Sequence, residues 1–144
     1  MNASCFNGKC VGPGGFVDIS QNTRKACFLG TFKAGGLKVK AAGGKLEILE
    51  EGKITKLKKD VEEITFSAEY AMETGQEVFY ITERAVFKAD TEGLTLVEIA
   101  PGMDLDKDVL AHMEFVPRIS PNLKTMDERI FKDEKMGLSL IEKK

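Results

Sequence analysis

Between residues 37 and 50 apolar and polar positions alternate with a period of two. Leu37 and Val39 interleave with Lys38 and Lys40, Gly43-Gly44 interrupts, and Leu46 and Ile48 return interleaved with Lys45 and Glu47. Successive side chains of an extended chain point to opposite faces, so this stretch predicts an antiparallel hairpin, apolar inside and charged outside. Gly52 marks a second turn, after which residues 53–59 return with Ile54 and Leu57 among lysines and a threonine. Residues 25–32 (KACFLGTF) read differently, as a short continuous apolar run bounded by glycine. That is the pattern of a strand covered on both faces, as in a parallel α/β sheet.

Further along, Ser67 as N-cap, Glu69 in the first turn and Gly75 past the end predict a short helix over 67–74. Residues 78–82 predict a strand. Residues 85–90 and 94–99 predict a hairpin across Thr91-Glu92-Gly93, with Gly93 where a three-residue turn wants positive φ. Apolar residues on both faces of 94–99 predict an interior strand. Pro101-Gly102 breaks the chain, and Asp104 then caps a helix that carries Leu105, Val109 and Met113 along one side. Residues 1–8 are small, polar and aperiodic and read as a lead-in. The tail from Pro117 holds two prolines, a short amphipathic piece at 126–131 and a charged end expected to fray. No internal repeat, low-complexity tract or linker divides the chain.

Composition narrows the class. At 144 residues, the chain has one domain's worth of core. With 42% apolar and 31% charged residues it reads as an ordinary soluble globular protein. A formal charge of −2 gives no reason to expect nucleic acid. No apolar run approaches the ~20 residues of a membrane span, and no signal core follows the first residues, so the expectation is a cytoplasmic protein. Cys5, Cys10 and Cys27 are an odd count at irregular spacing, neither a disulfide framework nor a zinc pattern, and are expected to be buried or idle thiols in a reducing compartment. His112 is the only histidine. A His-based metal cluster is therefore not expected, and an ordinary surface or hydrogen-bonded role is expected for it.

The densest glycine cluster is Gly12-Pro13-Gly14-Gly15-Phe16. Such a loop can present backbone N–H groups to an anion or a developing oxyanion; it can equally be a tight turn. Ser20, Gln21 and Asn22 follow it and suit either a substrate carboxylate or the capping of the next element. Lysines 38, 40, 45, 53, 56, 58 and 59 could attract phosphate groups, but alternation alone explains them as the solvated face of a meander. Glu83 sits among apolar neighbours in ITERAVF, which suits either a carboxylate near a site or a structural ion pair.

Five segments in order, GPGGFVDISQNTRKACFLGTFKAGGLKV, EEITFSAEYA, VFYITERAVF, GLTLVEIAPGMDLDKDVLAHMEF and ISPNLKTMD, resemble the C-terminal part of the class I CoA-transferases. These are the acetate, propionate and acetoacetate enzymes, related to succinyl-CoA:oxoacid CoA-transferase. The resemblance implies an open α/β fold, with a mixed sheet, antiparallel hairpins and short helices. It implies ping-pong chemistry: a glutamate attacks an acyl-CoA thioester, and the freed CoA thiolate returns to give a glutamyl-CoA thioester. In the family the loop matching Gly12, Gly14, Gly15 and Phe16 lies at the site, where a backbone donor to the oxyanion is commonly worth ~3 kcal/mol. Gly14 or Gly15 is the expected donor, and Glu83 is a secondary candidate.

The family's nucleophilic glutamate stands upstream of that loop in a Glu-x-Gly context, and no glutamate here matches it. Glu51-Gly52, Glu92-Gly93 and Glu73-Thr74-Gly75 are each assigned to a turn or a helix end. The expectation is therefore a fragment covering residues 1–144, inactive alone. It would be completed by an N-terminal half or partner subunit, with CoA thioester as substrate, carboxylic acids as acceptors and no resident cofactor or metal. A sheet cut in this way is expected to form homo-oligomers. The alternative is a catalytically inactive binding module that keeps the fold alone.

Overall fold

Alternating apolar side chains build the interior of a mixed sheet, and its polar edges carry the turns. The computed structural model describes residues 1–6 and 8–139. In chain order the elements are β1 (Cys5–Phe6), β2 (Lys9–Cys10), α1 (Phe16–Asn22), β3 (Lys25–Leu29), β4 (Lys33–Ala34), β5 (Lys38–Ala42), β6 (Lys45–Glu50) and β7 (Ile54–Thr55). There follow α2 (Ala68–Glu73), β8 (Glu77–Ile81), β9 (Ala85–Asp90), β10 (Gly93–Ile99) and β11 (Arg118–Thr125). A five-stranded sheet runs β11-β10-β9-β8-β3, parallel at both ends and antiparallel in the middle.

Strand β9 shows why the sheet is well defined. Ala85, Phe87 and Ala89 are buried on one face, and Val86 packs on the other against Leu46, Ala100, Met126 and Phe131. A one-residue slip would exchange these two sets, so the register is strongly specified. The first face is covered by Phe32, Val109 and partly buried Leu57, Leu105 and Met113, and farther along by Phe66 and Ala71.

Several expectations are met closely. Ser67 caps α2 by accepting a hydrogen bond from the Tyr70 amide, and Gly75 follows the end at φ 70°. The β5–β6 hairpin turns at Gly43-Gly44, and β10 is interior, between β9 and β11.

Others are corrected. Strand β3 is parallel to β8 as expected, but it is an edge strand covered on one face only: Ala26 is buried and Phe28 half-buried, while on the other face Cys27 is exposed and Leu29 is 75% exposed. Strand β5 is exposed throughout; only β6 of that hairpin buries a side chain fully, Leu46. Residues 54–55 pair with β4 rather than with β6. Gly93 pairs with Asp90, leaving a shorter turn than the predicted three residues, although its φ of 121° is as expected. Asp104 does cap the next segment, but that segment is a π-helical turn (Leu105–Val109) followed by a 3-10 turn (Leu110–His112), not a regular α-helix. Strand β11 was not expected, because Pro121 cannot donate to a ladder. The sheet accommodates it at the edge, where the register shifts between Leu96↔Ile119 and Glu98↔Lys124. Residues 1–6 and 8–10 are not a mere lead-in, since β1 and β2 pair and Cys5 is bonded to Cys10. The charged end at 140–144 lies outside the described residues.

Candidate functional site

The glycine loop enters α1 through a turn closed by the Phe16 amide, which donates to the Pro13 carbonyl at 3.1 Å. Its upstream end is held by the Val11 amide, donating to the Ser4 carbonyl at 2.8 Å. The Gly15 carbonyl accepts the first helical bond, from Ile19, at 3.0 Å. The N–H groups of Gly14 and Gly15 donate to no group among the described residues, and both residues are exposed.

Glycine is required by conformation at only one of these positions. Gly14 has φ 56°, in the left-handed region that side chains other than glycine rarely adopt. Gly15 has φ −78°. A Cβ on Gly12 would meet nothing within 4 Å, and one on Gly15 would only touch Ile19 Cδ1 at 3.8 Å. Neither the backbone nor the packing of this chain calls for glycine at 12 or 15. Gly52 and Gly102 differ: a Cβ there would stand 2.6 Å from the Ala34 carbonyl oxygen and 2.7 Å from that of Leu46.

Phe16 anchors the loop to the core through Phe28, with ring centroids 5.9 Å apart; Phe28 in turn stacks on Tyr80 at 5.4 Å. The residues after the loop have structural partners. The Gln21 side-chain carbonyl accepts from the Ser67 amide at 2.6 Å, Asn22 donates to the Asp18 carbonyl at 2.7 Å, and Ser20 is buried.

Glu83 belongs to a second cluster. Its Oε2 accepts from the Phe32 amide at 2.8 Å, and its Oε1 accepts from Arg84 Nε at 2.7 Å. Arg84 is fully buried. It also donates to both oxygens of Glu51 at 2.7 and 3.0 Å and to the Asp108 carbonyl at 3.0 Å, and it lies over the Phe32 ring. His112 Nε2 stands 3.4 Å from Glu51 Oε2. Burial alone would raise the Glu51 carboxyl, but the hydrogen bonds from Arg84 and Gly52 and the charges of Arg84 and His112 hold it below its ordinary value. Burial likewise opposes the charge on Arg84, and Glu51 and Glu83 more than offset that.

Glu83 thus makes its contacts with Phe32 and Arg84, and among the described residues nothing joins it to the glycine loop. Glu51, assigned from sequence only to a turn, is the principal partner of Arg84. An arginine embedded in ITERAVF was the available signal, because a buried guanidinium requires carboxylates somewhere in the fold.

The seven meander lysines are all exposed, as a solvated face requires. Sulfurs of Cys5 and Cys10 and a carboxylate oxygen of Glu63 lie within 4.8 Å of one another, but the two sulfurs are bonded together and offer no thiolate to a metal. An open groove of about 1530 Å³ is lined by Cys5, Val11, Leu29, Tyr80 and Thr82, among others. It reaches the residue before the glycine loop but not Gly12, Gly14, Gly15, Phe16 or Glu83. No described helix is long and apolar enough to cross a membrane.

Sequence and fold together make this chain homologous to part of the CoA-transferases. Acetate CoA-transferase YdiF of Escherichia coli O157:H7 is 55% identical over 137 residues, 95% of this chain and 26% of the relative. Caffeate CoA-transferase of Acetobacterium woodii is 49% identical over 133 residues, 92% of this chain and 25% of the relative. The crystal structure of the E. coli O157:H7 acyl-CoA transferase YdiF, as a thioester complex with CoA, matches with a TM-score of 0.94 at 53% identity. That match covers 97% of this chain and 27% of the solved one. The chain therefore spans about a quarter of the length of the relatives it matches. No protein-family model matches it.

Proposed function

We propose that these residues are the C-terminal portion of a CoA-transferase that moves CoA between short-chain carboxylic acids through a glutamyl-CoA intermediate. Their direct contribution is the glycine loop. The observation that carries this reading is the pair of exposed amides on Gly14 and Gly15 beside glycines, at 12 and 15, that the chain's own packing does not require. Open space over undonated N–H groups is what a developing oxyanion needs, since such donors act only when nothing else occupies them. The nucleophilic glutamate and most of the CoA contacts then come from the other three-quarters of the enzyme. The acids used would be of the acetate, propionate or acetoacetate type, and the site would be intracellular, where CoA thioesters are made.

In this reading the Arg84 cluster holds the scaffold and takes no part in the chemistry. The exposed edge of β3 is where further chain would add to the sheet; left uncovered, it promotes self-association.

An exchange assay tests the proposal. The purified chain is incubated with acetyl-CoA and labelled propionate, alone and with a polypeptide supplying the remaining CoA-transferase portion, and acyl exchange is followed by mass spectrometry. Exchange only on combination is expected. Exchange by the chain alone would place a nucleophile within it, and no exchange in the combined sample would favour an inactive binding module.

A further inference from the structure

The hairpin of β1 and β2 carries chemistry that CoA transfer does not use. Each strand has only two residues, paired Cys5↔Cys10 and Phe6↔Lys9. So short a hairpin has little ladder to hold it together. The covalent link from Cys5 to Cys10 therefore does much of that work. Cys10 directly precedes Val11, whose amide ties the glycine loop to Ser4, and the hairpin in turn rests on residues 63–66. The Thr65 amide donates to the Met1 carbonyl at 3.0 Å, the Ala3 amide to Thr65 Oγ1 at 2.7 Å, and Ser4 Oγ to Glu63 Oε2 at 3.0 Å.

Glu63 Oε2 also lies 2.7 Å from Cys5 Sγ. A thiol there donates an S–H hydrogen bond to the carboxylate, whereas a disulfide sulfur has no hydrogen to donate. An interaction available to only one of two states shifts the equilibrium toward that state. Glu63 therefore favours the dithiol and makes the bond easier to reduce. Cys5 is buried, while Cys10 is exposed to a reagent from solution.

We infer that Cys5 and Cys10 form a reversible thiol–disulfide pair, poised by Glu63, whose oxidation orders the glycine loop. The oxidant is a low-molecular-weight disulfide, R–S–S–R. The Cys10 thiolate attacks one of its sulfurs, forming the mixed disulfide and releasing R–S⁻. Cys5 then loses its proton, through Glu63 to solvent, and its sulfur attacks Cys10 Sγ and expels the second R–S⁻. Two electrons and two protons pass from the protein to R–S–S–R, giving two R–SH. That loop order matters for CoA transfer rests on the function proposed above; the exchange chemistry and the ordering do not, and they are read without turnover.

The chain, carrying Cys27→Ser to remove the exposed third thiol, is equilibrated in glutathione buffers of graded ratio, trapped by alkylation and weighed intact. A single two-thiol step with a midpoint inside the buffer range is expected. Glu63→Gln is expected to move that midpoint about tenfold toward higher reduced glutathione, equivalent to about 30 mV. Hydrogen exchange at the Val11 and Phe16 amides should be roughly fivefold faster in the reduced protein, from the loss of about one hydrogen bond's worth of protection. Cys10→Ser should match the reduced state. If that variant does not fold, the two redox states of the parent carry the comparison. A pair that stays wholly reduced or wholly bonded across the series, a midpoint unmoved by Glu63→Gln, or loop amides that exchange alike in both states would each overturn the inference.

Discussion

The Arg84 cluster and the glycine loop are built on opposite principles. Around Arg84 every guanidinium nitrogen has a partner, in Glu51, Glu83 or the Asp108 carbonyl, and the Glu51 carboxylate also takes the Gly52 amide. The glycine beside it is there because backbone crowds in, with the Ala34 oxygen 2.6 Å from where its Cβ would be. In the loop the successive amides of Gly14 and Gly15 donate to nothing among the described residues, and a Cβ on Gly12 or Gly14 would meet nothing within 4 Å. One region is filled by the chain itself, while the other leaves hydrogen-bonding capacity unused among the described residues. Glycine alone is uninformative; the glycines to ask about are those that neither a positive φ nor a close neighbour explains, as at 12 and 15.

The sharpest way to break that contrast is at its filled end. Arg84→Met leaves Glu51 and Glu83 without their cation, and losing one partner of a buried pair costs about 3–5 kcal/mol. Urea unfolding of the chain should show a loss of that size; a loss below about 1 kcal/mol, the range of surface pairs, would demote the cluster to an exposed-type pair.

The pH dependence follows from the same contacts. The folded Glu51 carboxyl lies below its ordinary 4.5, so its stabilisation is fully present above that value and is lost as pH falls through the lower folded value. Acid titration of stability should show this component in the parent chain and not in Arg84→Met.

Gly52→Ala comes next, at about 1–3 kcal/mol, because an added methyl must displace the Ala34 and Lys33 backbone. At the opposite end, Gly12→Ala and Gly15→Ala should change unfolding stability by no more than about 0.5 kcal/mol. A large loss at either would mean that the loop is a structural turn and that its glycines serve the fold.

Legibility from sequence followed the same division. Local rules found what local chemistry decides: Ser67 with Gly75 around α2, Gly43-Gly44 in its hairpin, and Asp104 as a cap. Partner choice was less accessible. Nothing in residues 53–59 says that Ile54 and Thr55 pair with Lys33 and Ala34, because that depends on the close approach at Gly52, which is visible only in three dimensions. The apolar run at 25–32 suggests burial on both faces, yet nothing among the described residues covers the face of β3 that carries Cys27 and Leu29. Strand β11 was hidden by Pro121, and the Cys5–Cys10 pair by an odd cysteine count that suggested no pairing at all. The loop was picked out by its glycines, but which of them the fold requires emerged only from φ values and distances.

The most direct test of the loop's role replaces the Gly14 or the Gly15 peptide N–H by an ester oxygen through semisynthesis, which deletes one donor and leaves the side chains untouched. Acyl exchange is then measured with the remaining CoA-transferase portion supplied. One of the two esters should lower kcat by about a hundredfold or more, the cost of losing an oxyanion donor, while both fold as the parent does. Full exchange rates with both esters would contradict the assignment of the loop to the oxyanion site.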